Sequence, residues 1–166
     1  MNNVIFIIGV SGCGKSTIGS LLSQEFKIPF FDGDDFHPKT NIEKMKSGRP
    51  LDDDDRQPWL ETLASRLPQW DAQGGAVLAC SALKEAYRET LGSKFSGQIN
   101  WVFLTGSEAL LCERINARAG HFFDPALLRS QLETLELPDY GQRIDVTPSP
   151  KTITNLIVDG LTKDDI

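Results

Sequence analysis

Gly9-Val10-Ser11-Gly12-Cys13-Gly14-Lys15-Ser16 follows the apolar run Val4-Ile5-Phe6-Ile7-Ile8 and leads into residues 17–26, where Ile18, Leu21, Leu22 and Phe26 recur at roughly helical spacing. A β-branched strand, a glycine-rich turn, a lysine, a hydroxyl and a helix stand in the order of a P-loop, and each part has a mechanical job. The glycines let backbone N–H groups wrap a diphosphate, the lysine reaches the β and γ phosphates, and the hydroxyl takes Mg²⁺. The helix that follows points the positive end of its dipole at the same phosphates. The motif therefore predicts a nucleoside triphosphate held by Gly9, Ser11, Gly12, Cys13, Gly14, Lys15, Ser16 and Thr17.

Outward from the loop, strands and helices alternate. Ile28-Pro29-Phe30-Phe31 reads as a second strand that ends in Asp32-Gly33-Asp34-Asp35. A short helix is expected over 38–48, with Gly48 at its C-terminal end. A longer one follows over 56–72, carrying Trp59, Leu60, Leu63, Leu67 and Trp70 on one face, with Pro58 in its first turn and Pro68 ending or kinking it. Ala76-Val77-Leu78-Ala79-Cys80 is continuously apolar, as in a strand buried on both faces. Helices near 85–92, 107–118, 126–135 and 151–161 and strands near 99–104 and 144–146 complete the pattern. This alternation predicts one α/β domain over 1–166, with three α/β/α layers around a mainly parallel five-stranded sheet.

Composition excludes other classes. The 166 residues carry a formal net charge of −6, which disfavours a nucleic-acid surface, and no apolar run reaches the roughly 18 residues of a membrane span. The first residues lack the shape of a signal peptide, so a cytoplasmic location is expected. Cys13, Cys80 and Cys112 stand alone without CxxC spacing, which argues against disulfides and zinc. Cys13 could be oxidation-sensitive if the helix N-terminus favoured its thiolate. The run Asp52 to Asp55 reads as a helix cap more readily than as a metal site, because consecutive carboxylates point in different directions.

A P-loop alone says only nucleoside triphosphate. No N-K-x-D tetrapeptide marks a GTPase, and the strand at 76–80 ends in Cys80-Ser81 rather than in the acid of an ATPase motor. The acids are Asp32 and Asp34, a D-x-D that resembles small-molecule kinases such as shikimate kinase. Six separated blocks then resemble the gluconate kinase family: Asp32 to Pro38, Asn41 to Met45, Gly48-Arg49-Pro50-Leu51 with Asp53 to Leu60, Cys80 to Lys84 with Tyr87-Arg88, Arg118 to Phe123, and Gln131 to Leu135. The resemblance covers about residues 4–160. It implies ATP-dependent phosphorylation of D-gluconate at its 6-hydroxyl, a nucleoside-monophosphate-kinase-like fold and a homodimer. Two positions depart from it: Cys13 stands where serine is common, and Asp35 adds an acid.

The roles follow from the chemistry and the resemblance together. Phosphoryl transfer needs cations at the phosphates and an acid at the attacking hydroxyl. Lys15, Asp34 and Arg118 are the expected catalytic residues, and Ser16 with Asp32 the metal ligands. Gluconate, an anion, is expected to meet Arg49, Lys84 and Arg88, with Asp34, His37, Ser81 and His121 also at the substrate. Lys84 and Arg88, at i and i+4, are expected to face one pocket. Arg114 and Arg118, on one helical face, resemble the arginines that open the lid of adenylate-kinase-like enzymes. Arg114 is expected at the adenine or ribose and Arg118 at the phosphates. A short mobile lid is expected near 118–125, including Gly120, His121, Phe122 and Phe123, and a substrate-binding helical segment near 36–60.

Overall fold

The computed structural model describes residues 4–118 and 125–163. In chain order the elements are β1 (Val4–Ile8), α1 (Lys15–Phe26), β2 (Phe30–Asp32), a 3-10 turn (Gly33–Phe36), α2 (Lys39–Lys46), α3 (Asp53–Ala72) and β3 (Ala76–Cys80). There follow α4 (Glu85–Gly92), β4 (Ile99–Thr105), α5 (Glu108–Asn116), α6 (Pro125–Thr134), β5 (Gln142–Asp145) and α7 (Pro150–Lys163).

Among the described residues the five strands form one sheet in the order β2-β3-β1-β4-β5, and every pairing is parallel. Every residue of β1 and of β3 is buried, which a strand needs when helices cover both of its faces. The two-residue period of the strand divides the core. Ile5, Ile7, Val77, Val102 and Leu104 pack with Ile18 and Leu22 of α1, Leu111 and Ile115 of α5, Leu128 of α6 and Ile153 and Ile157 of α7. Val4, Phe6, Ile8 and Leu78 pack on the opposite face with Trp59, Leu60, Leu63, Leu67 and Trp70 of α3 and Tyr87 and Leu91 of α4. Two helical layers thus enclose the sheet, as the alternation predicts.

Some boundaries differ from expectation. β2 begins at Phe30, and the acids after it wind into the 3-10 turn. α3 begins at Asp53, because Asp52 and Asp55 form a reciprocal capping box. Its end at Ala72 is the expected one, and it runs on through Pro68: Leu67 and Trp70, 0% and 5% exposed, hold its last turn against the sheet and offset the missing N–H. α5 ends at Asn116, so Arg118 lies in the turn beyond it.

Parallel strands bring all their C-terminal ends to one edge, the edge at which open α/β sheets bind ligands. The loop after β1 stands at its middle. The ends of β3 and β2 flank it on one side and those of β4 and β5 on the other.

Candidate active site

At the centre of that edge, Gly12 and Gly14 hold φ of +78° and +92°, values that side chains resist. These turns close the loop onto the start of α1. Gly14 is the N-cap and offers no side-chain hydrogen bond, so the first-turn N–H groups of Lys15, Ser16 and Thr17 point outward without an intrahelical partner. The Lys15 ammonium donates to the Gly9 carbonyl at 2.9 Å and the Val10 carbonyl at 3.1 Å, which leaves one of its three N–H bonds free among the described residues. Convergent N–H groups, a helix N-terminus and a tethered cation fit a polyphosphate. The Ser16 hydroxyl at the start of α1 and the Asp32 carboxylate at the end of β2 are oxygen ligands of the kind Mg²⁺ takes, which needs few protein ligands beside the phosphates. Among the described residues no cluster of three His, Cys, Asp or Glu forms a metal cage, the acidic run at 52–55 included.

Cys13 is 2% exposed, and burial pushes its thiol above the usual range even though Lys15 and Arg118 pull the other way. The condition for a reactive thiolate is therefore not met: the sulfur sits under the loop, in the core, rather than at the dipole. Cys80 is also buried, and its thiol is pushed up to about 12 by the same desolvation. Gln131 of α6, to which sequence reading gave no role, accepts the Ser11 N–H through its Oε1 at 2.8 Å and ties the P-loop to α6.

Beside the loop, Asp32 ends β2 and accepts the Asp34 N–H through Oδ1 at 3.0 Å. The protein crowding around Asp34 and the neighbouring charge of Asp32 raise its pKa, with Lys15 opposing. Its side chain is still 71% open to water, which screens these effects. The His37 Nε2 lies 3.8 Å from Asp34 Oδ1. The His37 ring stacks on Trp59, centroids 4.3 Å apart at 17°, and Trp59 donates its indole N–H to the Gly33 carbonyl at 2.7 Å. Burial, and then the charge of Arg56, lowers His37 to a pKa of about 4, so the ring is neutral at physiological pH.

The expected substrate cations separate. Lys84 is the N-cap of α4 with an extended backbone, so it does not share a helical face with Arg88. It pairs with Asp53 at 3.2 Å, and Tyr87 donates to the same carboxylate at 2.5 Å. Arg88 is 2% exposed, and its five N–H bonds are spent on Ala82, Leu83 and Glu136 carbonyls, the Glu85 carboxylate and the Tyr140 hydroxyl. The expectation that it meets substrate is corrected: it is an internal pin that holds the end of β3 to the segment after α6. Arg56, which sequence reading passed over, reaches the Leu51 carbonyl and the Tyr87 hydroxyl, and its charge is felt at His37. Its sequence signal was its place in the Asp53 to Leu60 block, to which no substrate role was given. Arg49 is exposed and bonds Ser47, and Ser81 is half-buried just beyond β3.

Across the loop, Arg114 donates to the Val146 carbonyl at 2.5 Å, beside the end of β5. Arg118 is exposed, yet its charge is felt at Cys13 in the loop. The expected lid, with Gly120, His121, Phe122 and Phe123, lies outside the described residues apart from its edges.

A P-loop at the middle of a 2-3-1-4-5 parallel sheet, with an acid and a histidine after the edge strand β2, defines a P-loop kinase of small molecules. A family model described as "Shikimate kinase" matches residues 11–144. The probable gluconokinase of Dictyostelium discoideum is 44% identical over 145 residues, which cover 84% of this chain and 72% of that protein. The thermosensitive gluconokinase of Escherichia coli is 40% identical over 153 residues, which cover 89% and 81%. The crystal structure of a gluconokinase from Sinorhizobium meliloti superposes with a TM-score of 0.89 at 41% identity, covering 98% of this chain and 93% of that one. The chain belongs to the gluconokinase family.

Proposed function

We propose that this chain transfers the γ-phosphoryl group of ATP to the 6-hydroxyl of D-gluconate, giving 6-phospho-D-gluconate and ADP. The observation that carries this is the agreement with gluconokinases in sequence and fold over nearly the whole chain. In the reaction a bond forms between the 6-oxygen and the γ-phosphorus, the bond from that phosphorus to the β–γ bridging oxygen breaks, and the hydroxyl proton leaves.

Each residue's part is proposed from its place. Gly9, Ser11, Gly12, Cys13, Gly14, Lys15, Ser16 and Thr17 hold the phosphates, with Lys15 supplying charge at β and γ. Ser16 and Asp32 hold Mg²⁺, which when bound neutralises charge on the phosphate oxygens. Asp34 orients the 6-hydroxyl and takes its proton, and His37 donates a hydrogen bond to the same substrate. Lys84, Arg49 and Ser81, joined now by Arg56, meet the carboxylate and the other hydroxyls. Arg114 packs at the adenine or ribose, and Arg118 adds charge at the phosphates. His121 and the lid near 118–125 keep their proposed roles at the substrate.

The resemblance also supports a homodimer, one kinase domain over 1–166 with a substrate-binding segment near 36–60, and a cytoplasmic setting. The net charge supports small-molecule partners rather than nucleic acid or membrane. ADP release should be measured with gluconate, other sugar acids, shikimate and nucleoside monophosphates as acceptors. Gluconate should be far ahead of the rest, whereas equal or faster turnover of shikimate would overturn the reading.

A further inference from the structure

We propose that Asn41 is a positioning residue that locks His37 in the tautomer with its proton on Nε2, so that the ring faces Asp34 and the acceptor hydroxyl as a hydrogen-bond donor. Asn41 lies on α2, is 3% exposed, and has its side-chain nitrogen 2.8 Å from the Asp55 carbonyl oxygen and 3.2 Å from His37 Nδ1. A backbone carbonyl only accepts, so the amide nitrogen of Asn41, and not its oxygen, must face Asp55. The second hydrogen of that nitrogen then points at His37 Nδ1, which must offer a lone pair. A neutral imidazole has one proton, which is left on Nε2.

The surroundings keep this arrangement in place. Asp55 is held by the capping box with Asp52 and by Lys44 at 2.5 Å. The His37 ring is clamped flat on Trp59. A chain of fixed contacts therefore runs from the start of α3 through Asn41 to His37 Nε2, the atom 3.8 Å from Asp34 Oδ1. That distance exceeds a direct hydrogen bond and is one that a single shared oxygen can bridge. A hydroxyl oxygen there would accept from Nε2–H while its own proton goes to Asp34. In the other tautomer Nε2 would be an acceptor, and two acceptors would compete for one hydroxyl proton.

The inference rests on the reading of Asp34 as the group that takes the proton, and its test separates the two. The chain has two histidines, so His37→Gln assigns the His37 signals in a ¹⁵N-labelled protein. In the ligand-free wild type, two-bond ¹H–¹⁵N spectra should show a protonated Nε2 and a bare Nδ1. Asn41→Asp offers Nδ1 an acceptor and should move the proton to Nδ1. It should lower kcat with gluconate about 10-fold or more while leaving the KM for MgATP unchanged, the size of effect seen when the orienting partner of a histidine is lost. Asn41→Ala, which offers neither donor nor acceptor, should give mixed tautomers and an intermediate kcat. A wild-type proton on Nδ1 would overturn the proposal even if neither variant folds, as would a full tautomer switch with kcat unchanged. A correct tautomer with no gluconate turnover in the wild type would instead overturn the assignment of substrate.

Discussion

Asp34 stands where protein crowds its carboxylate and Asp32 and Asp35 add like charge, so it holds a proton more readily than an isolated aspartate, with Lys15 as the restraint. That is the environment of a group asked to accept a proton and release it later. Asp34→Asn keeps the shape and removes the basicity. It should lower kcat with gluconate by about 10² or more while the KM for MgATP stays within a factor of a few, as steady-state kinetics would show. A variant with near-normal kcat would pass the proton to Asp35 or to solvent. At this scale the P-loop and the Asp32–Asp34 pair were readable in the sequence, because the chemistry of each position allows few residue types. The cations were not. Spacing placed Lys84 and Arg88 together, but it could not register that one guanidinium turns inward to five protein acceptors while the lysine turns to Asp53.

Between elements, Arg88 joins what the chain keeps far apart. One side chain on α4 satisfies the carbonyls of Ala82 and Leu83 beyond β3 and of Glu136 beyond α6, and its guanidinium lies 5.2 Å from the centroid of the Phe103 ring on β4. Removing it takes their buried donor from the Ala82 and Glu136 carbonyls, while Leu83 keeps the Glu136 N–H and the partly exposed Glu85 carboxylate keeps the Tyr140 hydroxyl. Arg88→Met should therefore cost about 1–3 kcal/mol per orphaned carbonyl in chemical denaturation. Arg88→Lys, with three donors and no planar fork, should recover little of that loss. Stability near that of the wild type in Arg88→Met would show that water replaces the guanidinium. The elements themselves were largely legible, since β1 and β3 are unbroken apolar runs and α3 repeats its apolar face at helical spacing. The open question was whether Pro68 ends the helix; it does not, because burial of Leu67 and Trp70 outweighs one missing N–H, a tertiary effect that a local rule cannot contain.

For the whole molecule, His37 ties stability to pH. Its folded pKa of about 4 lies below the ordinary 6.5, so the unfolded chain takes up a proton first as pH falls. Its contribution is complete above pH 6.5 and is lost between there and about 4. Asp34, whose folded pKa is raised, opposes this weakly from its open position. Asp53, Asp55 and Asp145, whose pKa values are lowered, lose their contributions only below about 3.8. Calorimetric Tm measured against pH should therefore fall first between 6.5 and 4, and His37→Gln should flatten that part of the curve. A curve of unchanged shape in the variant would assign the transition to other groups. The all-parallel sheet has a different consequence, in the order of assembly. Among the described residues β1 pairs with β3 and β4, through residues 76–80 and 99–103, so its five apolar residues have no neighbour until 68 further residues, 9 to 76, have been synthesised. A chain emerging from the ribosome must carry that segment unpaired, and the turn it supports cannot gain its final shape until the second half of the polypeptide arrives.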